Sequence, residues 1–493
     1  MNNYLKNKWV KFGMAVIVYL LIVIWTENYW WLIGVTAIFD IFISKKILSL
    51  NTMNKYLKNK WVKFGLAETA YLLWVIWSGN YWWLIGLPVI FDIYISKKVH
   101  WAFWKKKGVE KQTKIVEWVD AIIFAVIAAS FIRTFFFEAY TIPTSSMEKS
   151  LLVGDYLFVS KSAYGPRKPM TPLSFPFVHH SLPGTTSKSY SEAWQRPYER
   201  IAGTRTIKNN DAVVFNFPEG DTVCLEEQAQ SYYQLCRSYG RDNVWKRYTV
   251  AHRPVDKCEN YIKRCVAIPG DSLQVIDGQL HINGRPQKQA GITQYKYAIL
   301  TDGSSINPRA MQKLGISKED FDYSMLGAGQ YILPLSEENA KRIASFINVK
   351  QIQRINAGDR DGSNYIFPHD TLYRWNEDNF GPIWLPKKGE TTELTLNNLP
   401  LYKRVIGHYE GNKLEVKDSS IYINGEAANN YTFKMNYYWM MGDNRHNSQD
   451  SRFWGYVPED HIVGRASLIW LSIDKDKSFP KNIRFKRMLR SIH

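Results

Sequence analysis

The sequence predicts a multi-helix N-terminal membrane anchor followed by a mostly-β extracytoplasmic domain of antiparallel sheets with α/β insertions. Three observations lead there. The first hundred residues repeat a pattern of apolar runs rimmed by Lys and Trp. A further apolar segment, Ala121–Phe137, follows a basic stretch. From about residue 138 onward, short alternating runs are separated by turn dipeptides, the pattern of half-buried strands.

In the anchor, MNNYLKNKWVKFG (1–13) recurs as MNKYLKNKWVKFG (53–65), and NYWWLIG (28–34) recurs at 80–86. The first copy holds the apolar runs Phe12–Trp25 and Trp30–Ile43, the second Phe64–Trp77 and Trp82–Ile95. These are short against the ~20 residues that a helix needs to cross a bilayer. Flanking Trp, Tyr and Lys can extend them by snorkelling. Eleven of the 19 Trp lie in residues 1–104, mostly near the run ends, where an interfacial belt belongs. The other reading is a buried soluble hairpin with Asp40 and Asp92 facing an interior. The segments before Phe12, between Ser44 and Phe64, and between Ser96 and Lys114 hold nearly all the Lys, which assigns them to the cytoplasm. Five crossings then put everything after Phe137 outside, a multi-pass protein of the cytoplasmic (inner) membrane. No small-x-small site follows Trp25, so the first run is expected to stay as an anchor, and Met53 is an alternative start. The resulting units are hairpins at 1–52 and 53–104, a basic loop and fifth helix at 105–137, a β domain at 138–473, and a basic tail at 474–493. The tail FPKNIRFKRMLRSIH either rests on the membrane surface or frays.

Charge excludes one class of partner. The 493 residues carry 63 Lys+Arg against 45 Asp+Glu, a net +18. Residues 1–114 hold 16 Lys and no Arg against five acids, and the tail holds seven basic residues against two acids. The middle of the chain is therefore close to neutral, and no nucleic acid is expected as a partner. A 45% apolar share with a mean hydropathy of -0.30 excludes a mainly transmembrane protein, and 30 Tyr, 24 Phe and 19 Trp exclude disorder. Four cysteines exclude a disulfide scaffold. Cys258 and Cys265 on one strand would be about 23 Å apart, too far to bridge, whereas Cys224 and Cys236 could pair. With neither HExxH nor a paired CxxC, no metal or cofactor is expected.

The β domain reads as strands at Asp155–Val159, Ala212–Phe217, Tyr261–Ile268, Ser272–Ile276, Gln279–Ile282, Lys413–Lys417 and Ser420–Ile423, with turns at Pro269-Gly270-Asp271, Asp277-Gly278 and Asn283-Gly284. Ser336–Phe346 reads as a helix with Ser336 as N-cap. Long insertions fall at about 166–210 and 285–400. A weak echo links residues 262–286 with 402–427, and two similar hairpin units in one sheet would explain it.

A serine hydroxyl is a poor nucleophile without a base in hydrogen-bond reach. A lysine can serve only when neutral, and with a reference pKa near 10.4 only roughly 0.1% of an exposed one is neutral near pH 7.4. Lys263, between Ile262 and the Val266–Ile268 run, is placed for desolvation that lowers its pKa; the alternative is a surface lysine on a strand. Together with TIPTSSM, LLVGDYLFVSK and GDNRHNSQDSRFWG, in that order behind an anchor, YIKRCVAIPGD resembles the motifs of bacterial type I signal peptidases. The resemblance implies a signal-peptidase-like β domain and a serine endopeptidase that removes signal peptides from secretory preproteins after small-x-small residues. It implies Ser146 as nucleophile, Lys263 as general base, and Thr144 with the Ser146 N–H as oxyanion donors. Ser448 and Asp450 would orient the lysine, and Arg452 would brace their loop. Tyr140, Ile142, Met147, Leu151, Tyr261 and Ile262 would line two shallow substrate pockets. Preproteins, the lipid bilayer and the secretion translocon are the implied partners. The chain departs from the family at Met147-Glu148-Lys149-Ser150, where Met-x-Pro-Thr is usual, and at Asn260, where an acid is common. Lys403, in the echo segment, is a competing base.

Two rivals remain. Ser146-Met147-Glu148-Lys149 fits the S-x-x-K motif of penicillin-binding proteins, although no S-D-N or K-T-G accompanies it. The second is an inactive membrane assembly or scaffold protein of the same fold. A Ser-His-Asp hydrolase lacks its G-x-S-x-G motif here.

Overall fold

A computed structural model of the chain describes residues 59–105, 112–185, 187–287, 293–316, 321, 324–357 and 365–492. The chain divides into two compact units, 1–127 and 128–493. The first copy of the repeated hairpin lies outside the described residues, as does Asp40.

In the first unit the second copy folds as a helical hairpin. Helix α1 (Lys60–Ser78) begins where the Asn59 side chain accepts the Trp61 N–H at 2.9 Å, and it stops at Gly79, whose φ of 62° suits glycine. A 3₁₀ turn at Tyr81–Ile85 leads into a short helix at Gly86–Phe91. The Tyr71 hydroxyl reaches back to donate to the Trp83 carbonyl at 2.7 Å. A Cβ on Gly86 would stand 2.3 Å from that hydroxyl, so glycine lets the two legs touch. Asp92 closes the end of the second leg, accepting the Lys98 and Val99 N–H groups and the Trp101 indole at 2.9, 3.0 and 2.8 Å.

Helix α2 (Lys114–Phe135) is different. Its 22 residues have a mean hydropathy of 2.2 and bury no side chain in the protein. Its length of about 33 Å matches a hydrocarbon core of about 30 Å. Among the described residues it is the one helix long and apolar enough to cross a membrane. Of the three expected crossings that fall on described residues, one has this character: α1 carries Lys60, Lys63 and Glu68, and the Tyr81–Ser96 leg is short.

The second unit is mostly β and antiparallel. Its main sheet comprises β1 (Phe137–Thr141), β2 (Asp155–Ser160), β3 (Ala212–Asn216), β4 (Asn260–Ala267), β5 (Tyr437–Met441), β6 (Val457–Pro458), β7 (Ile462–Ser472) and β8 (Arg490–Ser491). The order is β1-β2-β7-β3-β4-β5-β6, with β8 also on β7. Strand β3 is buried throughout, because both faces of the central sheet are covered. Val214 packs with Val159 and Val463 on one side, and Val213 and Phe215 with Cys265, Met440 and Trp454 on the other. The helix expected from Ser336 runs Glu337–Ala344, with the Ser336 hydroxyl accepting the Asn339 N–H at 3.2 Å.

The two echo segments share only their hairpin halves, and these lie in separate sheets. Ser272–Ile276, Gln279–Ile282 and Arg285–Pro286 join Phe380–Trp384, whereas Leu414–Lys417, Ser420–Ile423 and Glu426–Ala427 form a sheet of their own. The preceding K-R half is a strand in the first segment. In the second it is a helix, Leu399–Arg404, whose Pro400 at the start suits a helix and not an internal strand. Within the 285–400 insertion, strands Gln294–Thr301, Met325–Gly327, Gln330–Ser336 and Val349–Arg354 form a four-stranded sheet over a separate core that includes Ile306, Met311, Leu333 and Ile343.

The basic tail neither frays nor lies free. Strand β8 pairs with β7, Ile492 is buried, and Arg487 grips the buried Asp155 carboxylate at 2.6 Å. Asp155 also accepts the Leu152 N–H and the Ser472 hydroxyl. Arg487→Ala removes the only cation in this cluster that bonds the carboxylate among the described residues. It is expected to lower stability by about 3 kcal/mol, read as a fall in the denaturant midpoint, while Lys481→Ala on the same tail leaves the midpoint unchanged.

Candidate active site

The residues after β1 build the site. Thr144 is extended (φ -126°, ψ 159°) and precedes a single 3₁₀ turn, Ser145–Met147, that presents Ser146. As N-cap, Thr144 makes no side-chain capping bond, and its Oγ1 instead lies 3.5 Å from the Ser146 Oγ. Strand β4 brings Lys263 to the same point. Its Nζ donates to the Ser146 Oγ at 2.8 Å, although the two residues are 117 positions apart.

Lys263 is 5% exposed because β4 is an inner strand, flanked by β3 and β5. Alternation along β4 puts Tyr261, Lys263 and Cys265 on one face. The ammonium lies 5.7 Å from the Tyr261 ring. Burial pulls the Lys263 pKa down to about 8, against the opposing charges of Asp450 and Asp443.

A loop after β5 closes the site from below. The Asn444 N–H donates to the Ser146 carbonyl at 3.0 Å, and the Asn447 amide to the Ser145 hydroxyl at 3.0 Å. Gly442 passes so close that a Cβ there would lie 2.3 Å from the Ser448 Oγ and 2.6 Å from the Ser146 carbonyl oxygen. The loop is held by two buried ion pairs. Arg264, next to Lys263, bonds Asp443 in two places at 2.8 and 2.7 Å. Arg452 bonds Asp450 likewise at 2.9 and 2.8 Å. Burial opposes ionisation of Asp450, and the Arg452 guanidinium outweighs it, leaving the carboxyl below its usual range.

The expected site residues separate into groups. Thr144, Ser146 and Lys263 meet. Ser448 and Asp450 do not hydrogen-bond the amine: Ser448 lines the same cleft and donates to the Gln449 carbonyl at 3.3 Å, and Asp450 acts on Lys263 through charge. Tyr140, Ile142, Tyr261 and Ile262 line an open cleft of about 1450 Å³ together with Thr144, Ser146 and Lys263. Met147 and Leu151 do not line it; they are fully buried in the layer beneath, with Ile142 and Ile262. Lys403 is exposed on its helix, away from the cleft. Lys149 has a positive φ of 70°, and its Nζ donates to the Gly315 carbonyl at 2.6 Å, so the S-x-x-K pairing with Ser146 does not form.

Sequence reading missed the opposite wall of the cleft. Lys296 and Pro334 of the insertion sheet, Gln312 on a short helix at Pro308–Lys313 and Ile316 just after it line the cleft together with Ser146. The Gln294 N–H donates to the Asp443 carbonyl and the Arg445 N–H to the Gln294 carbonyl, each at 2.9 Å, tying the insertion to the loop. His446 extends the tie, with Nε2 at 2.8 Å from Asp378 and Nδ1 accepting the Lys296 N–H. The K-R dipeptide was visible, but its partner Asp443 and this wall depend on contacts 150 or more residues away. Among the described residues, no group of three or more His, Cys, Asp or Glu is arranged to hold a metal ion. The cysteines are free thiols, Cys224 and Cys236 included.

Comparison with known proteins adds a family. The family described as "Signal peptidase, peptidase S26" matches residues 115–359 and 429–471, more than half of the chain. Signal peptidase I of Buchnera aphidicola subsp. Acyrthosiphon pisum is 25% identical over 424 residues, 84% of this chain and 95% of its own length. Signal peptidase I of Haemophilus influenzae is 24% identical over 392 residues, 79% of each chain. That of Aquifex aeolicus is 21% identical over 349 residues, covering 70% of this chain and 80% of its own.

The depressed pKa of Lys263 has a consequence for stability. Below about pH 8 the folded state must hold a buried ammonium, a cost absent from the unfolded chain. Stability linked to this residue is therefore lowest below pH ~8, rises as pH climbs toward ~10.5, and then levels. Lys263→Met is expected to be the more stable protein near neutral pH, by up to about 3 kcal/mol, with the difference closing as pH approaches ~10. Paired denaturation curves across that range check it; a difference independent of pH contradicts it.

Proposed function

The chain belongs to the signal peptidase family, peptidase S26, and is a serine peptidase; we propose that it removes N-terminal signal peptides from secreted preproteins at a membrane surface. The observation that carries the reading is the 2.8 Å contact between the Lys263 Nζ and the Ser146 Oγ in a site that pulls the lysine to about 8. An amine with such a pKa is partly neutral near physiological pH, and neutral Nζ can accept the Ser146 proton as Oγ attacks the scissile carbonyl. The Ser146 N–H and the Thr144 hydroxyl are the donors for the developing oxyanion. The protonated Lys263 then gives its proton to the leaving amine, the N-terminus of the mature protein. A water deprotonated by Lys263 hydrolyses the acyl-Ser146 ester and releases the signal peptide.

Substrate binding follows from the edge of the sheet. Strand β1 is the outermost strand, and the cleft runs along Tyr140–Ser146 beyond it. An extended substrate pairs with the Thr141–Pro143 backbone. Tyr140, Ile142 and Ile262 supply shallow apolar walls that admit small side chains on either side of one outward-facing residue, the small-x-small preference. Helix α2 spans the bilayer with the basic side before Lys114 in the cytoplasm and the β domain outside. The translocon delivers the preprotein.

Cleavage of a secretory preprotein by the full chain in detergent tests this. Ser146→Ala and Lys263→Ala are each expected to abolish processing, and Thr144→Val to lower kcat by about 10²–10³. Wild-type activity should rise with pH through about 8 as Lys263 loses its proton. Processing that survives Ser146→Ala, or that is lost with Lys149→Ala in its place, overturns the reading.

A further inference from the structure

A second cavity, of about 340 Å³, lies where α2 ends. Ser130, Arg133 and Thr134 from the last turns of α2 form one wall, and the 167–179 loop forms the other. Five cationic side chains line it, Arg133, Lys161, Arg167, Lys168 and Lys257, against the two carboxylates of Glu138 and Asp256. Those carboxylates are already engaged. Glu138 takes Arg133 at 2.5 Å and Lys161 at 2.8 Å. Asp256 accepts the Thr171 N–H at 2.9 Å and its hydroxyl at 2.7 Å.

Lys257 is left over. It is 7% exposed, and among the described residues its side chain makes no hydrogen bond or ion pair; its ammonium lies 5.3 Å from the Tyr190 ring. Burying a cation on a ring face alone does not recover its lost hydration. Burial pulls the Lys257 pKa below its usual range, Asp256 opposes the shift, and Arg133 adds to it. Nearby His179 is likewise held toward the neutral form, mainly by burial. The cavity thus holds more cationic side chains than its carboxylates balance.

The surroundings say what meets that excess. Leu173, Phe175 and Phe177, on the loop at the cavity, are 48%, 62% and 51% exposed, and the Arg133 guanidinium lies 5.8 Å from the Phe177 ring. A cationic pocket ringed by exposed apolar side chains at the end of a membrane-spanning helix fits a headgroup together with its acyl chains. A free anion would make no use of the apolar rim. We propose that this cavity binds the phosphate of an anionic membrane lipid, with Lys257 as its central contact. The assignment rests on α2 spanning the bilayer, and is independent of the chemistry at Ser146.

The full chain in detergent, supplied with an equimolar mixture of phosphatidylglycerol and phosphatidylcholine, tests the site by native mass spectrometry of retained lipid. Wild type is expected to keep phosphatidylglycerol in preference. Lys257→Gln should lower that preference about tenfold or more, the worth of one charge-assisted contact, Lys257→Arg should keep it, and Lys341→Gln on an exposed helix should not change it. Lys168→Gln at the rim is the second variant should Lys257→Gln not fold, and is expected to lower the preference as well. Equal retention of both lipids by wild type, or an unchanged preference in the folded Lys257→Gln or Lys168→Gln variant, overturns the proposal. Displacement of the lipid by inorganic phosphate overturns it too, making the cavity a small-anion site. Alkaline extraction of membranes reads the span of α2, and preprotein cleavage reads the peptidase, so failure of either is distinct from failure here.

Discussion

Lys263 occupies the inner strand of a covered sheet, 5% exposed, with a serine hydroxyl as its hydrogen-bond partner. Placing an ammonium there costs free energy, and that cost is what lowers its pKa. The proposed chemistry needs the cost to be tuned. Asp450 and Asp443 pull the pKa back up, and their own charges are held by Arg452 and Arg264. An unpaired carboxylate close to the amine would hold the proton on it. Carboxylates already committed to guanidinium groups let desolvation dominate.

The same pairs position Ser146. Arg264 follows Lys263 directly and fixes Asp443; the next residue, Asn444, donates its N–H to the Ser146 carbonyl. Lysine and serine are thereby located by two arms of one short network, so a disturbance in the Gly442–Arg452 loop reaches both. The insertion enters this network as well, through Gln294 and the His446–Asp378 contact. It is therefore a wall of the cleft and a support for the loop, a tighter integration than an appended domain would need.

Much of the β domain was legible from local pattern. Ser272–Ile276, Gln279–Ile282 and Ser420–Ile423 form with the bounds that alternation and turn residues give, and Ser336 caps its helix. Local pattern could not tell that the two echo segments belong to different sheets, because strand partners are chosen by tertiary contacts. Nor could it show that Met147 and Leu151 sit beneath the cleft floor, since a tight 3₁₀ turn breaks the alternation that assigns faces. The meeting of Ser146 with Lys263 spans 117 residues; the apolar setting of Lys263 offered a base, and the family resemblance named Ser146 as its partner. In the anchor, apolar runs with Lys and Trp at their rims looked alike, yet only α2 among the described residues has the length and hydropathy of a span.

The central claim is that the fold, before any substrate arrives, holds Lys263 at a pKa far below that of an ordinary lysine. Nuclear magnetic resonance titration of the full chain in detergent, with lysine side chains isotopically labelled, measures this at the atom concerned. The account predicts one lysine Nζ environment that titrates near pH 8 and disappears in Lys263→Met. A Lys263 signal that titrates with the exposed lysines, above about pH 10, would contradict it.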